Sequence, residues 1–152
     1  MSFLRQAIAL AVESAGTDGG PFGAVIARGD ALVSTGTNRV TASGDPTAHA
    51  EIVAIRRAAE ALGTYDLSGC TLYTSTEPCP MCLAATWWAR LDGIVYAADR
   101  FAAARAGFDD AEIYQEVAAD IGARRLPFRQ ELAEEGERPF EAWAANPHKQ
   151  QY

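Results

Sequence analysis

Cys70-Thr71-Leu72-Tyr73-Thr74-Ser75 runs almost directly into Pro78-Cys79-Pro80-Met81-Cys82, and this junction decides the fold. The first half is strand-like, and the second opens a helix, because proline is tolerated in a first turn. That helix reaches Trp88 or Arg90, and Gly93-Ile94-Val95-Tyr96-Ala97 follows as the next strand. Strands separated by helices of this length imply crossover connections, hence a sheet covered on both faces.

Upstream, Gly23-Ala24-Val25-Ile26-Ala27 and Ala31-Leu32-Val33-Ser34-Thr35 flank Arg28-Gly29-Asp30. This spacing predicts a hairpin in which glycine supplies the positive φ of the turn. Ser2 can cap a first helix with Leu4, Ala7, Ile8, Ala11, Val12 and Ala15 on one core face, stopped by Gly16 and Gly19-Gly20. After Asn38-Arg39-Val40 the chain is polar through Pro46, and a helix is expected from about Thr47 to Leu62, before Gly63, with His49 and Glu51 in its first turn. Beyond the last strand come a glycine-containing loop at Ala106–Asp110, a helix over about Ala111–Ala119, an extended run at Leu126–Gln130 and a short helix from Pro139 to Ala145. The expected class is α/β, a three-layer α/β/α arrangement around a mixed central sheet, in one domain spanning residues 1–152.

The formal charge of −7 argues against a polynucleotide partner, since phosphate backbones are held by clustered Lys and Arg. Arg56-Arg57 and Arg124-Arg125 are pairs on solvated surface rather than a stripe. The apolar patch from Ala7 to Val12 is closely flanked by Arg5 and Glu13, so it reads as amphipathic helix and not as a signal peptide. No run approaches transmembrane length, and a soluble, cytoplasmic protein is the expectation. Cys70, Cys79 and Cys82 do not form a disulfide framework, which fits a reducing compartment, and Cys70 reads as a small core residue.

Thr47-Ala48-His49-Ala50-Glu51 lies thirty residues before Glu77-Pro78-Cys79-Pro80-Met81-Cys82. His49, Cys79 and Cys82 can together hold Zn²⁺, and three protein ligands leave the fourth tetrahedral position open for water. Glu51, two residues from a ligand, is close enough to exchange protons with that water without coordinating the ion. A redox dithiol is the rival for Cys79 and Cys82, but it does not need a partnered His-x-Glu. His-x-Glu followed by Pro-Cys-x-x-Cys is the recognised signature of the zinc-dependent deaminases.

By residue type alone, Asn38 reads as a strand-end residue and Phe22 as core. Asp109 and Asp110 read as a helix cap and first turn, and Tyr152 as a chain end. A wider pattern gives these positions a different meaning. Gly19-Gly20-Pro21-Phe22-Gly23-Ala24-Val25-Ile26, Asp45–Glu51, Tyr73-Thr74-Ser75, Glu77–Cys82, Trp88-Ala89-Arg90, Ala106-Gly107-Phe108-Asp109-Asp110, Pro139-Phe140, Trp143 and Tyr152 together resemble the bacterial guanine deaminases of the cytidine deaminase superfamily. The zinc motif identifies the superfamily, while the Gly-Phe-Asp-Asp loop and terminal Tyr152 point to the guanine branch.

The resemblance implies a cytidine-deaminase-like fold and hydrolysis of guanine to xanthine and ammonia. It implies that Asn38 hydrogen-bonds a small purine base, Phe22 packs against it, Trp88 lines the pocket, and Asp110 with Tyr152 closes on the polar edge. It also implies a homodimer in which a C-terminal segment, about residues 127–152, crosses to the partner. Thr76 stands where relatives often carry cysteine, at a position that is not a ligand. The rival readings are a tRNA adenosine deaminase, a deaminase of guanosine, cytosine or an aminotriazine such as ammeline, and a non-catalytic zinc-stabilised binding domain.

Overall fold

The computed structural model describes residues 2–152 and divides the chain into two compact units, Met1–Gln115 and Glu116–Tyr152. Helix α1 (Phe3–Ala15) precedes a hairpin of β1 (Gly23–Arg28) and β2 (Ala31–Thr37). A short α2 (Val40–Ser43) and α3 (Ala50–Leu62) lead to β3 (Thr71–Thr76), α4 (Pro80–Trp88), β4 (Gly93–Ala98), α5 (Arg100–Arg105) and α6 (Asp110–Ala118). The strand order is β2-β1-β3-β4, with β1 antiparallel to both neighbours and β3 parallel to β4. This is the expected mixed sheet in an α/β/α sandwich, and Gly29 turns the hairpin at φ +57°.

Two glycines set the spacing of the layers. A β-carbon on Gly23 would lie 2.3 Å from the Ala7 carbonyl oxygen and 2.7 Å from the Ala11 nitrogen. One on Gly36 would lie 2.2 Å from the Ala50 carbonyl oxygen and 2.7 Å from the Ala54 nitrogen. Gly36 pairs with Ala24, the neighbour of Gly23, so strand alternation puts the two glycines on opposite faces. Helix α1 therefore lies on one face and α3 on the other, each in contact with strand backbone.

The core on the α3 side is built from Ala24, Ile26 and Leu72 of the sheet against Ala50, Ala54 and Ala58, with Leu67 and Cys70 also fully buried. On α1 the outcome differs from the expected broad apolar face. The buried residues are Ala7, Ala11 and Ser14, while Val12 is 70% exposed. Close approach to Gly23 selects small side chains and leaves no room for a large one at the contact.

His49 is the N-cap of α3 and not part of its first turn. The backbone before it is committed elsewhere: the Arg39 N–H donates to the Ala48 carbonyl, and the His49 N–H donates to the Thr47 carbonyl. Asp45 accepts from both the N–H and the hydroxyl of Thr47, which fixes a turn where a helix was expected. The polar stretch before it contains α2, for which no helix was expected, and α5 was likewise not anticipated.

The second unit contains short 3-10 turns at Ile121–Ala123 and Glu135–Glu137, then α7 (Arg138–Ala145). Within it the Glu116 carboxylate accepts from the backbone N–H groups of Arg125 and Leu126, and the Arg124 guanidinium lies 4.8 Å from the Phe128 ring centroid. The expected extended run at residues 126–130 is irregular. Among the described residues no helix is long and apolar enough to cross a membrane.

Gly36→Ala is expected to lower stability by about 1–3 kcal/mol, the usual cost of overpacking, because the new methyl group meets backbone and not a movable side chain. Gly93→Ala, whose β-carbon meets nothing within 4 Å, provides the control. Denaturant midpoints of the two variants check this, and equal midpoints would contradict it.

Candidate active site

Both halves of the metal motif sit at helix N-termini. His49 caps α3 through its backbone and makes no side-chain capping bond, so the imidazole is available to a ligand. Cys79 caps α4, where its sulfur accepts from the Cys82 N–H at 3.5 Å and Pro80 occupies the first turn. Two helix dipoles thus point toward one place and favour anionic sulfur there.

His49 Nδ1 lies 3.6 Å from the sulfur of Cys79 and 3.6 Å from that of Cys82, and the three donor atoms all fall within 4.8 Å of one another. Zn–N and Zn–S bonds of ordinary length meeting at a tetrahedral angle separate nitrogen from sulfur by about 3.6 Å. The donor set and its spacing therefore fit zinc. Among the protein groups alone, the Cys82 thiol and then His49 stabilise the Cys79 thiolate, which is lowered to about 4. Cys82 is pushed up by its hydrogen bond to that anion and by burial. Zn²⁺ held here would take Cys82 as a thiolate too, since a coordinating thiol is deprotonated outright.

Glu51, in the first turn of α3, is only 6% exposed. Thr74 donates to its Oε1 at 3.2 Å and the Cys82 thiol to its Oε2 at 3.5 Å. Burial pushes the Glu51 carboxyl up. The sequence reading assigned no role to Thr74, although a signal was present. Thr74 pairs with Ala24 and follows Leu72 by two residues, so alternation places its hydroxyl on the α3 face.

A cavity of about 340 Å³ opens beside this cluster, lined by His49, Glu51 and Cys79 together with Phe22, Asn38, Phe108 and Asp110. It lies at the small end of the range for ligand pockets, roughly 300–1,000 Å³. Asn38 is 8% exposed, and its side-chain oxygen accepts the Val40 N–H at 3.2 Å. An N–H requires an acceptor, so the oxygen is fixed there and the amide N–H donors remain for the cavity. Gly20 makes space for this side chain: a β-carbon there would stand 3.1 Å from Asn38 Cγ. Phe22 meets Phe108 edge to face with centroids 4.8 Å apart, a partner that sequence reasoning named only as part of a loop.

Burial, and then the nearby Cys79 anion, push the Asp110 carboxyl up. Trp88, expected in the pocket, is absent from its lining and is 67% exposed. Cys82 and Thr86 mark the buried side of α4, and a residue two positions beyond Thr86 points to the opposite side. Tyr152 belongs to the second unit and is 65% exposed.

Residues 1–98 match the family model described as the cytidine and deoxycytidylate deaminase zinc-binding region. A guanine deaminase of Bacillus subtilis is 49% identical over 152 residues, covering 99% of this chain and 97% of that protein. The chain belongs to the cytidine deaminase superfamily, with the bacterial guanine deaminases. The X-ray structure of guanine deaminase from Bacillus subtilis superposes with a TM-score of 0.95 at 50% identity, covering 99% of this chain and 96% of that one. A tRNA-specific adenosine deaminase of Agrobacterium fabrum is 41% identical over 96 residues, 63% of each protein. The His49, Cys79 and Cys82 cluster is consistent with the zinc-binding site of this deaminase family, and the enzyme class is zinc-dependent nucleobase deaminase.

Metal analysis is expected to find one zinc per chain, and Cys82→Ala to lose it. Cys70→Ala alters a buried cysteine outside the cluster and is expected to keep the metal. Zinc retained by Cys82→Ala, or lost by a folded Cys70→Ala, would contradict the assignment.

Proposed function

We propose that the chain hydrolyses guanine to xanthine and ammonia, using zinc held by His49, Cys79 and Cys82. The observation that carries this reading is the buried Glu51 carboxylate, set beside a three-donor metal cluster and facing a small cavity with both polar and aromatic walls. Bound zinc supplies a nucleophile at neutral pH by lowering the pKa of water from 15.7 to about 7.

Net chemistry forms a C2–O bond and breaks the C2–N bond of the exocyclic amine, with water and guanine giving xanthine and ammonia. Ammonia leaves only after its nitrogen is protonated, so one group must collect a proton and return it. Glu51 is that group: Thr74 holds Oε1, and Oε2, on the side of the Cys82 sulfur, carries the proton. The amide donors of Asn38 match the O6 and N7 acceptors of guanine. Phe22 and Phe108 offer apolar surface to the ring, and Asp110 addresses its polar edge.

The reading extends to a homodimer in which the segment of about residues 127–152 crosses over and Tyr152 completes the partner's site. Exposed Phe128, Leu132 and Phe140 support a partner for this segment. The thiolate ligands suit a reducing compartment, and we infer the cytoplasm.

Ammonia release from guanine, guanosine, adenine, cytosine and ammeline tests the substrate directly, with guanine expected to dominate. Turnover confined to adenosine in tRNA would replace this reading with its nearest rival. Glu51→Gln is expected to keep zinc and lose about 10²–10⁴-fold in kcat, the usual share of a general acid–base group. Parental turnover in the zinc-loaded variant would assign the proton work elsewhere. For the crossed dimer, mixing Tyr152-truncated with Glu51→Gln subunits should restore activity in verified heterodimers. A confirmed heterodimer without recovery would reject the exchange.

A further inference from the structure

Three side chains outside the metal cluster tie the loop that carries Cys79 to the helix that carries Asp110. The Glu77 carboxylate accepts three bonds from Arg100: the backbone N–H at 2.9 Å, Nε at 3.0 Å and Nη2 at 2.6 Å. The same guanidinium lies 3.7 Å from the centroid of the Tyr114 ring. The Tyr114 hydroxyl donates to the Pro78 carbonyl at 2.8 Å. The two residues immediately before Cys79 are thus each gripped from outside, Glu77 by Arg100 of α5 and Pro78 by Tyr114 of α6.

Tyr114 lies four residues after Asp110 in α6, one turn along the same side of the helix. Asp110 and Glu77 both line the cavity. A helix held through Tyr114 to the Cys79 loop fixes the distance between Asp110 and the metal cluster. The chain enters α6 through the loop at Gly107, whose φ is +93°, and Phe108, which meets Phe22 edge to face.

We propose that Tyr114 and Arg100, acting with Glu77, are positioning residues that set Asp110 over the purine site and so govern substrate binding. The inference deepens the reading of the cavity as a guanine site and rests on it. Ground-state and transition-state complexes both use a contact to the purine edge, so weakening it raises KM more than it lowers kcat. A merely structural role does the opposite: partial unfolding removes active sites, lowers apparent kcat and leaves KM alone.

Tyr114→Phe deletes the bond to Pro78 and keeps the ring beneath Arg100. It should retain one zinc per chain and raise KM for guanine roughly three- to tenfold, with a smaller change in kcat. Arg100→Ala strips the Glu77 carboxylate of its partner and should raise KM further. Arg100→Lys, which keeps the charge without the planar fork, should recover part of the loss. Because Tyr114 acts through Asp110, adding Tyr114→Phe to Asp110→Ala should have no further effect on KM.

Unchanged KM in Tyr114→Phe, or multiplicative effects in the double variant, overturns the inference while leaving guanine turnover by the parent enzyme in place. Absence of guanine turnover in the zinc-loaded parent overturns the functional reading and this inference with it.

Discussion

The site depends on how closely α3 can approach the sheet. Gly36 presents no side chain beneath Ala50 and Ala54, and the first turn of the helix settles onto strand backbone. That contact fixes the height of His49, which caps the helix, and of Glu51, one residue into it. It lowers the Glu51 carboxylate far enough to meet Thr74 of β3, and brings the imidazole level with the sulfurs at the start of α4. Close-packed interiors do not deform continuously, so a small displacement of α3 moves His49 and Glu51 together.

Burial then divides the work among the acidic groups. Glu51 and Asp110 both have carboxyls pushed up by burial, but only Glu51 touches both a sheet hydroxyl and a cysteine of the metal cluster. Glu77 has the opposite environment: hydrogen bonds from Arg100 hold its carboxyl below the usual carboxylate range. The two carboxyls are thus driven in opposite directions, Glu77 toward its charged form by Arg100 and Glu51 toward its protonated form by burial.

The metal cluster was legible in the sequence because each ligand type is rare in this chain and the spacing repeats a known chemical pattern. The layered fold was legible too, since the crossover after β3 and the hairpin at Gly29 are both set by local residues. Other features were hidden because they are properties of contacts. Nothing in the apolar pattern of α1 says that Ala7 and Ala11, rather than Val12, meet the sheet; that follows from Gly23 on another element. His49 moved from the first turn to the cap because of hydrogen bonds formed by Arg39 and Asp45. Trp88 left the expected pocket because helix phase overrides the pull of a motif match. The pairing of Arg100 with both Glu77 and Tyr114 joins residues distant in sequence, beyond the reach of any local signal.

The most direct measurement of the central claim is zinc K-edge X-ray absorption on the purified protein. Two sulfurs at about 2.3 Å and two nitrogen or oxygen neighbours at about 2.0–2.1 Å are expected from His49, Cys79, Cys82 and one water. A shell of three or four sulfurs, or full activity in protein free of metal, would contradict the account.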